Sequence, residues 1–283
     1  MDIVIRQWTR ADIPAADEIQ QSAFGISESR TEELARYLAL QPDGWFLATF
    51  HQGIPAGMVG AVDYGPFAYI GMMCVHPEFQ RRGIGHALMQ RLLAWLDARG
   101  APVALLDATE AGARVYVHFD FVEEDQSCVF EHHHTTRSSH QTADVHLLQP
   151  QDIQALVDFD TPIFGGNRAA LFRIMLTDFQ GRALTVRDKA GQLSGYLFAQ
   201  SRRLGPWVAQ RPQDAKLLLQ AAMSLPYEGA PIVIAPKMNT AAIELLERFG
   251  FQYTRSCRHM RRGGLDLPSQ RGLIYGQTSF AIG

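Results

Sequence analysis

Apolar positions recur with two different periods along the chain. Leu88, Leu92, Trp95 and Leu96 return at helical spacing and Gly100 ends the run, which predicts an amphipathic helix over 85–99. Similar patterning predicts earlier helices over 11–24 and 29–40. Between them and the strong helix, 45–51, 55–64 and 68–75 read as three strands of a meander, with turn signals at Gln52-Gly53 and Gly65-Pro66. The unbroken apolar run 103–108 predicts a strand covered on both faces, followed by a helix over 111–118 and a closing strand that includes 128–131.

The plan is used twice. Ile5 to Ile13 set beside Val145 to Ile153 pairs Asp12 with Asp152 and Ile13 with Ile153, and the same spacing pairs Phe24-Gly25 with Phe164-Gly165. Further on, Phe121 after one helix matches Phe251 after another. The polar stretch between the copies lacks any hydrophobic period. It divides the chain into 1–131, a linker 132–143, and 144–283. The adjacent His132, His133 and His134 do not share one face of an element and have no ligand spacing around them, so they read as linker and no metal is expected.

A chain of 283 residues with 47% hydrophobic and 19% charged residues has room for two globular domains. Its net charge of -3 argues against a protein that coats nucleic acid or an anionic membrane. Apolar runs fall short of the ~20 residues of a bilayer span, and Asp2 stands where a signal peptide would be basic. Cys74, Cys128 and Cys257 are too few and too scattered for a disulfide framework. A soluble cytoplasmic protein is expected, as a monomer or homodimer.

The chemistry concentrates after the third strand. Val75-His76-Pro77 ends the strand, and Gln80-Arg81-Arg82-Gly83-Ile84-Gly85 leads into the strong helix. Free N–H groups and the positive end of the dipole at a helix start hold phosphate oxygens. Glycines let backbone approach a ligand or take positive φ, and arginines add charge-assisted contacts. The alternative is a turn whose arginines merely face solvent. Neither a Rossmann loop nor a P-loop fits the glycine spacing.

These residues resemble the pyrophosphate loop of the GCN5-related N-acetyltransferase (GNAT) family. The whole chain is similar to tandem members whose C-terminal copy has diverged. The resemblance implies an α+β fold of two GNAT-like domains, each a mixed, mostly antiparallel sheet flanked by helices. It also implies acetyl-CoA as co-substrate and no metal. Backbone groups of Met73, Cys74 and Val75 would pair with the pantetheine arm on a bulged strand, and Gln80, Arg81, Arg82, Gly83, Ile84, Gly85 and His86 would cradle the pyrophosphate. In 109–121, Thr109 stands at the family's Asn position, which implies a further contact to the cofactor, and Asp120 replaces the usual Gly. Tyr116 stands at the position of the general acid that protonates the departing thiolate. An ordinary packing role for Tyr116 is the alternative. Asp63, His76, Asp107 and Glu110 are candidate bases, each with a commonplace structural role to set against it. Cys74 reads as a core residue rather than a nucleophile.

The second copy has no Gly-x-Gly before its corresponding helix, carries Asp214 at the helix start, and has Leu246 in the place of Tyr116. Residues 144–283 are therefore expected not to acetylate but to hold or shape the acceptor site, with Asp160, Phe164, Gly165, Asn167 and Arg168 bordering it. The acceptor is a small-molecule or peptide amine that the sequence leaves unnamed. The competing reading is a non-catalytic acyl-CoA-binding sensor or interaction protein.

Overall fold

The two aspartates matched by the repeat have the same task. In the computed structural model, which describes residues 3–51, 53–133, 144–264, 266–267 and 269–283, the amides of Thr9 and Gln149 donate to the carboxylates of Asp12 and Asp152 (2.7 and 2.9 Å). Each carboxylate turns the chain from an opening strand into a helix. In the first half this links β1 (Ile3–Gln7) to α1 (Ile13–Phe24). In the second it links β7 (Val145–Leu147) to α5 (Ile153–Phe164). Gly25 and Gly165 end those helices at φ 64 and 92, which explains the paired Phe-Gly.

The first half continues with α2 (Thr31–Leu40), β2 (Trp45–Phe50), β3 (Ile54–Asp63), β4 (Ala68–Val75), α3 (Ile84–Arg99), β5 (Ala104–Ala108), α4 (Glu110–Tyr116) and β6 (Val122–Glu131). The second continues with α6 (Ala169–Asp178), β8 (Ala183–Arg187), β9 (Leu193–Ala199), β10 (Leu204–Ala209), α7 (Pro212–Ala222), β11 (Ile232–Pro236), α8 (Thr240–Arg248), β12 (Gln252–Arg262) and β13 (Ile274–Gly276). α4 stops at Tyr116 rather than 118, and a tight turn carries the chain to Asp120, whose φ of 64 serves where a glycine was expected. The Gln52-Gly53 turn falls partly, and linker positions 134–143 wholly, outside the described residues. Among the described residues no helix is long and apolar enough to cross a membrane.

The fold is α+β, with two sheets flanked by helices, but the sheets do not divide as the halves do. One sheet runs β1-β2-β3-β4-β5-β12-β6-β11 and the other β13-β10-β9-β8-β7. β12 enters from the second half and pairs with both β5 and β6, while β6 reaches back to pair with β11. The closing strands are thus exchanged about the β6–β12 pair. The exchange adds to the expected pair of sheets a crossing of their closing strands, and it explains why β6 extends over 122–126: Val122, Glu123, Asp125 and Gln126 each face a β12 residue supplied from far along the chain.

Burial follows the exchange. Leu88, Leu92 and Leu96 of α3 pack on Phe46, Ala61 and Ile70, and Leu218, Leu219 and Leu246 pack on Trp207 and Val233 under α7 and α8. The third cluster joins the halves: Tyr37 and Trp45 lie in one core with Phe164, Phe172 and Tyr196. Each such side chain is worth ~1.5–3 kcal/mol in water excluded. The face of the first sheet opposite α3 is therefore roofed by both halves.

Candidate active site

β4 and β5 run parallel and pair at only three positions, from Ala68↔Ala104 to Ile70↔Leu106. Beyond them β4 is bulged, because Cys74 faces Met58 and Gly71 faces Gly60, leaving one surplus residue on β4. Met72 takes the strain at φ 56. The bulge swings β4 away from β5 and opens a V. The amide of His76 donates to the carbonyl of Ala56 (2.8 Å). Ladder alternation then gives the backbone of Cys74 to β3 and turns that of Val75 to the open edge. Of the three expected strand contacts, Cys74 is thus already committed to β3. The carbonyl of Val75 accepts from the side-chain amide of Gln80 (3.1 Å), which pins the loop to the strand end.

The loop takes left-handed backbone at Arg81 and Gly83, φ 60 and 80. The first intrahelical bond of α3 runs from Ala87 to Gly83 (3.0 Å), and no side chain caps the helix. The amides of Ile84, Gly85 and His86 consequently have no intrahelical acceptor. A Cβ built on Gly85 would meet only Cγ2 of Val75 at 3.8 Å, so the space above it is open. The Arg82 guanidinium lies over the Phe50 ring (5.3 Å) and the His86 ring against Phe119 (4.8 Å). Neither Arg81 nor Arg82 pairs with a carboxylate among the described residues. Open amides, a helix dipole and unpaired guanidinium groups fit a diphosphate.

Tyr116 closes α4 over this gap and is 7% exposed. Burial holds its hydroxyl protonated well above the usual tyrosine range, with the Cys74 thiol adding to the effect. The hydroxyl makes no hydrogen bond among the described residues. Burial likewise pushes the Cys74 thiol up, against a nucleophilic role. Thr109 caps α4, its hydroxyl accepting from the amide of Gly112 (3.2 Å).

On the opposite face of the sheet a cavity of about 140 Å³ is lined by Tyr69, Leu105, Phe164, Arg168, His259 and Gln277. The first two come from the first half and the others from the second. Arg168 is buried and forms a two-pronged pair with Asp160 (2.6 and 2.9 Å), to which Tyr196 also donates (2.6 Å). Of the expected bordering loop, Phe164 and Arg168 reach the cavity, while Asn167 caps α6 through the amide of Ala169 (2.8 Å). Asp107 receives Tyr69 (2.5 Å), Ser127 (2.7 Å), Gln277 (3.0 Å) and His259 (3.1 Å). His259 is the residue that sequence reasoning missed. Asp63 bonds the turn amide of Gly65 (2.9 Å), Glu110 pairs with Arg258 (2.7 Å), and His76 accepts from Glu78 (3.4 Å). These three keep their commonplace roles.

The second copy closes every one of these openings. α7 begins with Pro212, which lacks an N–H, and the Asp214 carboxylate occupies its first turn, bound by Arg211 (2.8 Å). β13 pairs along the edge of β10 that corresponds to the open edge of β4. Leu246 is fully buried. Residues 156–276 nonetheless match the sequence pattern described as the acetyltransferase (GNAT) domain, and residues 13–121 match that of the acetyltransferase (GNAT) family.

An uncharacterized N-acetyltransferase of Bacillus subtilis is 25% identical over 236 residues, covering 80% of each chain. An acetyltransferase of Photorhabdus laumondii is 31% identical over 119 residues, 40% of this chain and 73% of its own. A Pyrococcus horikoshii crystal structure described as an acetyltransferase superposes with a TM-score of 0.87 at 29% identity, covering 99% of this chain and 96% of the other. A GCN5-related N-acetyltransferase of Sphaerobacter thermophilus shares the fold at 18% identity, with a TM-score of 0.70 over 94% and 98%. With the splayed strands, the open helix start and two matched domains, the chain belongs to the GNAT family as a tandem N-acetyltransferase.

Proposed function

We propose that the protein transfers acetyl from acetyl-CoA directly to an amine, with acetyl-CoA held and Tyr116 supplied by the first half only. The observation that carries this reading is the juxtaposition, at one end of the V, of three uncapped α3 amides with an unbonded, protonated Tyr116 hydroxyl. The amides of Ile84, Gly85 and His86, with Arg81 and Arg82, hold the diphosphate, and the edge of β4 at Met73 and Val75 receives the pantetheine as an added strand would be received. Tyr116 gives its proton to the departing sulfur. The second half contributes Phe164, Arg168, His259 and Gln277 to the cavity in which the amine is received.

Calorimetry with acetyl-CoA, followed by a panel of alkylamines, aminosugars, amino acids and peptide N-termini monitored by released thiol, tests the proposal. One bound acetyl-CoA per chain and thiol release with at least one amine are expected. Absence of acetyl-CoA binding would sink the reading, and binding without turnover on any amine would make the protein an acyl-CoA sensor instead.

A further inference from the structure

An amine that attacks from the cavity must lose a proton on the face of the sheet away from Tyr116, and we infer that His259, positioned by Asp107, accepts it. The inference rests on the acetyl-transfer reading above. Asp107 is the β5 residue next after Leu106, the last partner of β4, so it stands where the V opens. Its side chain alternates with Leu106 and faces away from the α3 core. β12 lies against β5 because the halves exchange strands, and this sets His259 directly opposite Asp107. The pair thus combines one group from each half.

The hydrogen bonds fix which nitrogen is free. The Asp107 carboxylate is buried and accepts from Tyr69, Ser127, Gln277 and His259. Burial opposes its ionised form, but the bond from His259 and the nearby charges of His259 and Arg271 hold it below the usual carboxylate range. An ionised carboxylate only accepts, so the proton of a neutral His259 sits on Nδ1 and Nε2 carries the lone pair. His259 lines the cavity, and its Nε2 bonds to no protein atom among the described residues.

Three of the surrounding carboxylates are already paired with arginines. Tyr69 faces the ring from β4, and Glu124 and Asp125 come from β6. Glu124 is paired with Arg261 (3.1 Å), Asp125 with Arg271 (3.2 Å), and Arg168 with Asp160. Asp266 also lines the cavity. Asp107 is therefore the direct counter-charge for an imidazolium at this place.

The step balances. The amine nitrogen bonds to the acetyl carbonyl carbon and its proton passes to Nε2 of His259. The carbon–sulfur bond breaks, its electron pair goes to sulfur, and sulfur takes the Tyr116 proton. N-acetyl amine and CoA thiol leave, and the two side chains exchange protons with water to reset.

His259→Asn is the decisive variant, since its amide nitrogen can stand where Nδ1 stood and keep the bond to Asp107 while Nε2 is gone. With the fastest primary amine of the panel, turnover at saturating acetyl-CoA should fall roughly 10²–10⁴-fold at neutral pH. The deficit should shrink as rising pH deprotonates the amine unaided, and acetyl-CoA affinity should be unchanged. Turnover close to that of the unaltered protein, with acetyl-CoA still bound, would overturn the inference and leave the acetyl-transfer reading intact. Unaltered protein that binds acetyl-CoA and acetylates no amine would remove both. Nitrogen NMR of the unaltered, histidine-labelled protein covers a variant that fails to fold. A His259 ring protonated at Nδ1 and bare at Nε2 is expected, and the opposite tautomer would refute the inference.

Discussion

Tyr116 and Gly85 are single residues whose removal separates folding from chemistry. The Tyr116 ring packs beside Phe121 (centroids 5.8 Å), but its hydroxyl holds nothing in place. Tyr116→Phe should therefore leave the melting temperature nearly unchanged and acetyl-CoA affinity intact, while kcat drops by about 10²-fold or more. Equal kcat at all pH values would strip the hydroxyl of its role. Gly85 sits in the first turn of α3, where alanine is the better helix former by up to ~1 kcal/mol. The new Cβ has room, so Gly85→Ala should raise the melting temperature slightly while weakening acetyl-CoA binding measured by calorimetry. A stabilised variant with full affinity would mean that no ligand approaches that backbone. The places of Gly83, Gly85 and Tyr116 in the fold were legible in the sequence because their surroundings are local: strand, loop and helix follow one another within a short stretch. Asp107 could only be one candidate base among four, since its partners Tyr69, Gln277 and His259 come from three distant segments and nothing near it in the chain announces them.

At the scale of elements, the two copies show how the same strand-loop-helix unit is opened or shut. α3 starts at Gly83 with bare amides, whereas α7 starts with Pro212 and its own carboxylate, and β13 fills the edge that β4 leaves open. β4 and α3 were legible almost to the residue, since apolar period and glycine stops mark them. β12 was not, because Arg255, Arg258, Arg261 and Arg262 dilute its apolar alternation and its partners lie in the other half. The exchange has a consequence for cutting the chain. Residues 1–131 alone would leave β5 without β12 and β6 without β11 and β12, exposing Leu106 and Phe130 along unpaired edges. That fragment should aggregate or bind acetyl-CoA poorly, and co-expression with 144–283 should restore both size and binding, as read by size-exclusion chromatography and calorimetry. A monodisperse fragment with full affinity would show that the exchanged strands are dispensable.

Across the whole molecule, the halves are also locked by a polar link outside the exchanged strands. Arg203, just before β10, donates to Glu33 of α2 (3.1 Å) and to the carbonyl of Thr278 (3.0 Å). Tyr37 donates to the same carboxylate (2.6 Å) and lies within hydrogen-bond distance of Ser279 (2.8 Å). Burial opposes the ionised Glu33, yet Arg203, then Arg30, then the Tyr37 hydroxyl bring it from 4.5 down to about 2. A carboxylate whose folded value lies below its unfolded one stabilises the fold above the unfolded value, and that stabilisation fades as pH falls between the two. At about 1.4 kcal/mol per unit, a few kcal/mol should be lost between pH 4.5 and about 2. Urea unfolding across that range should show the fall in the unaltered protein. Glu33→Gln should begin less stable at neutral pH, because the largely covered Arg203 then lacks its counter-charge, and should change less on acidification. Parallel curves for the two proteins would mean that Glu33 does not hold the halves together. The cavity wall would then depend on the shared apolar core and the exchanged strands alone.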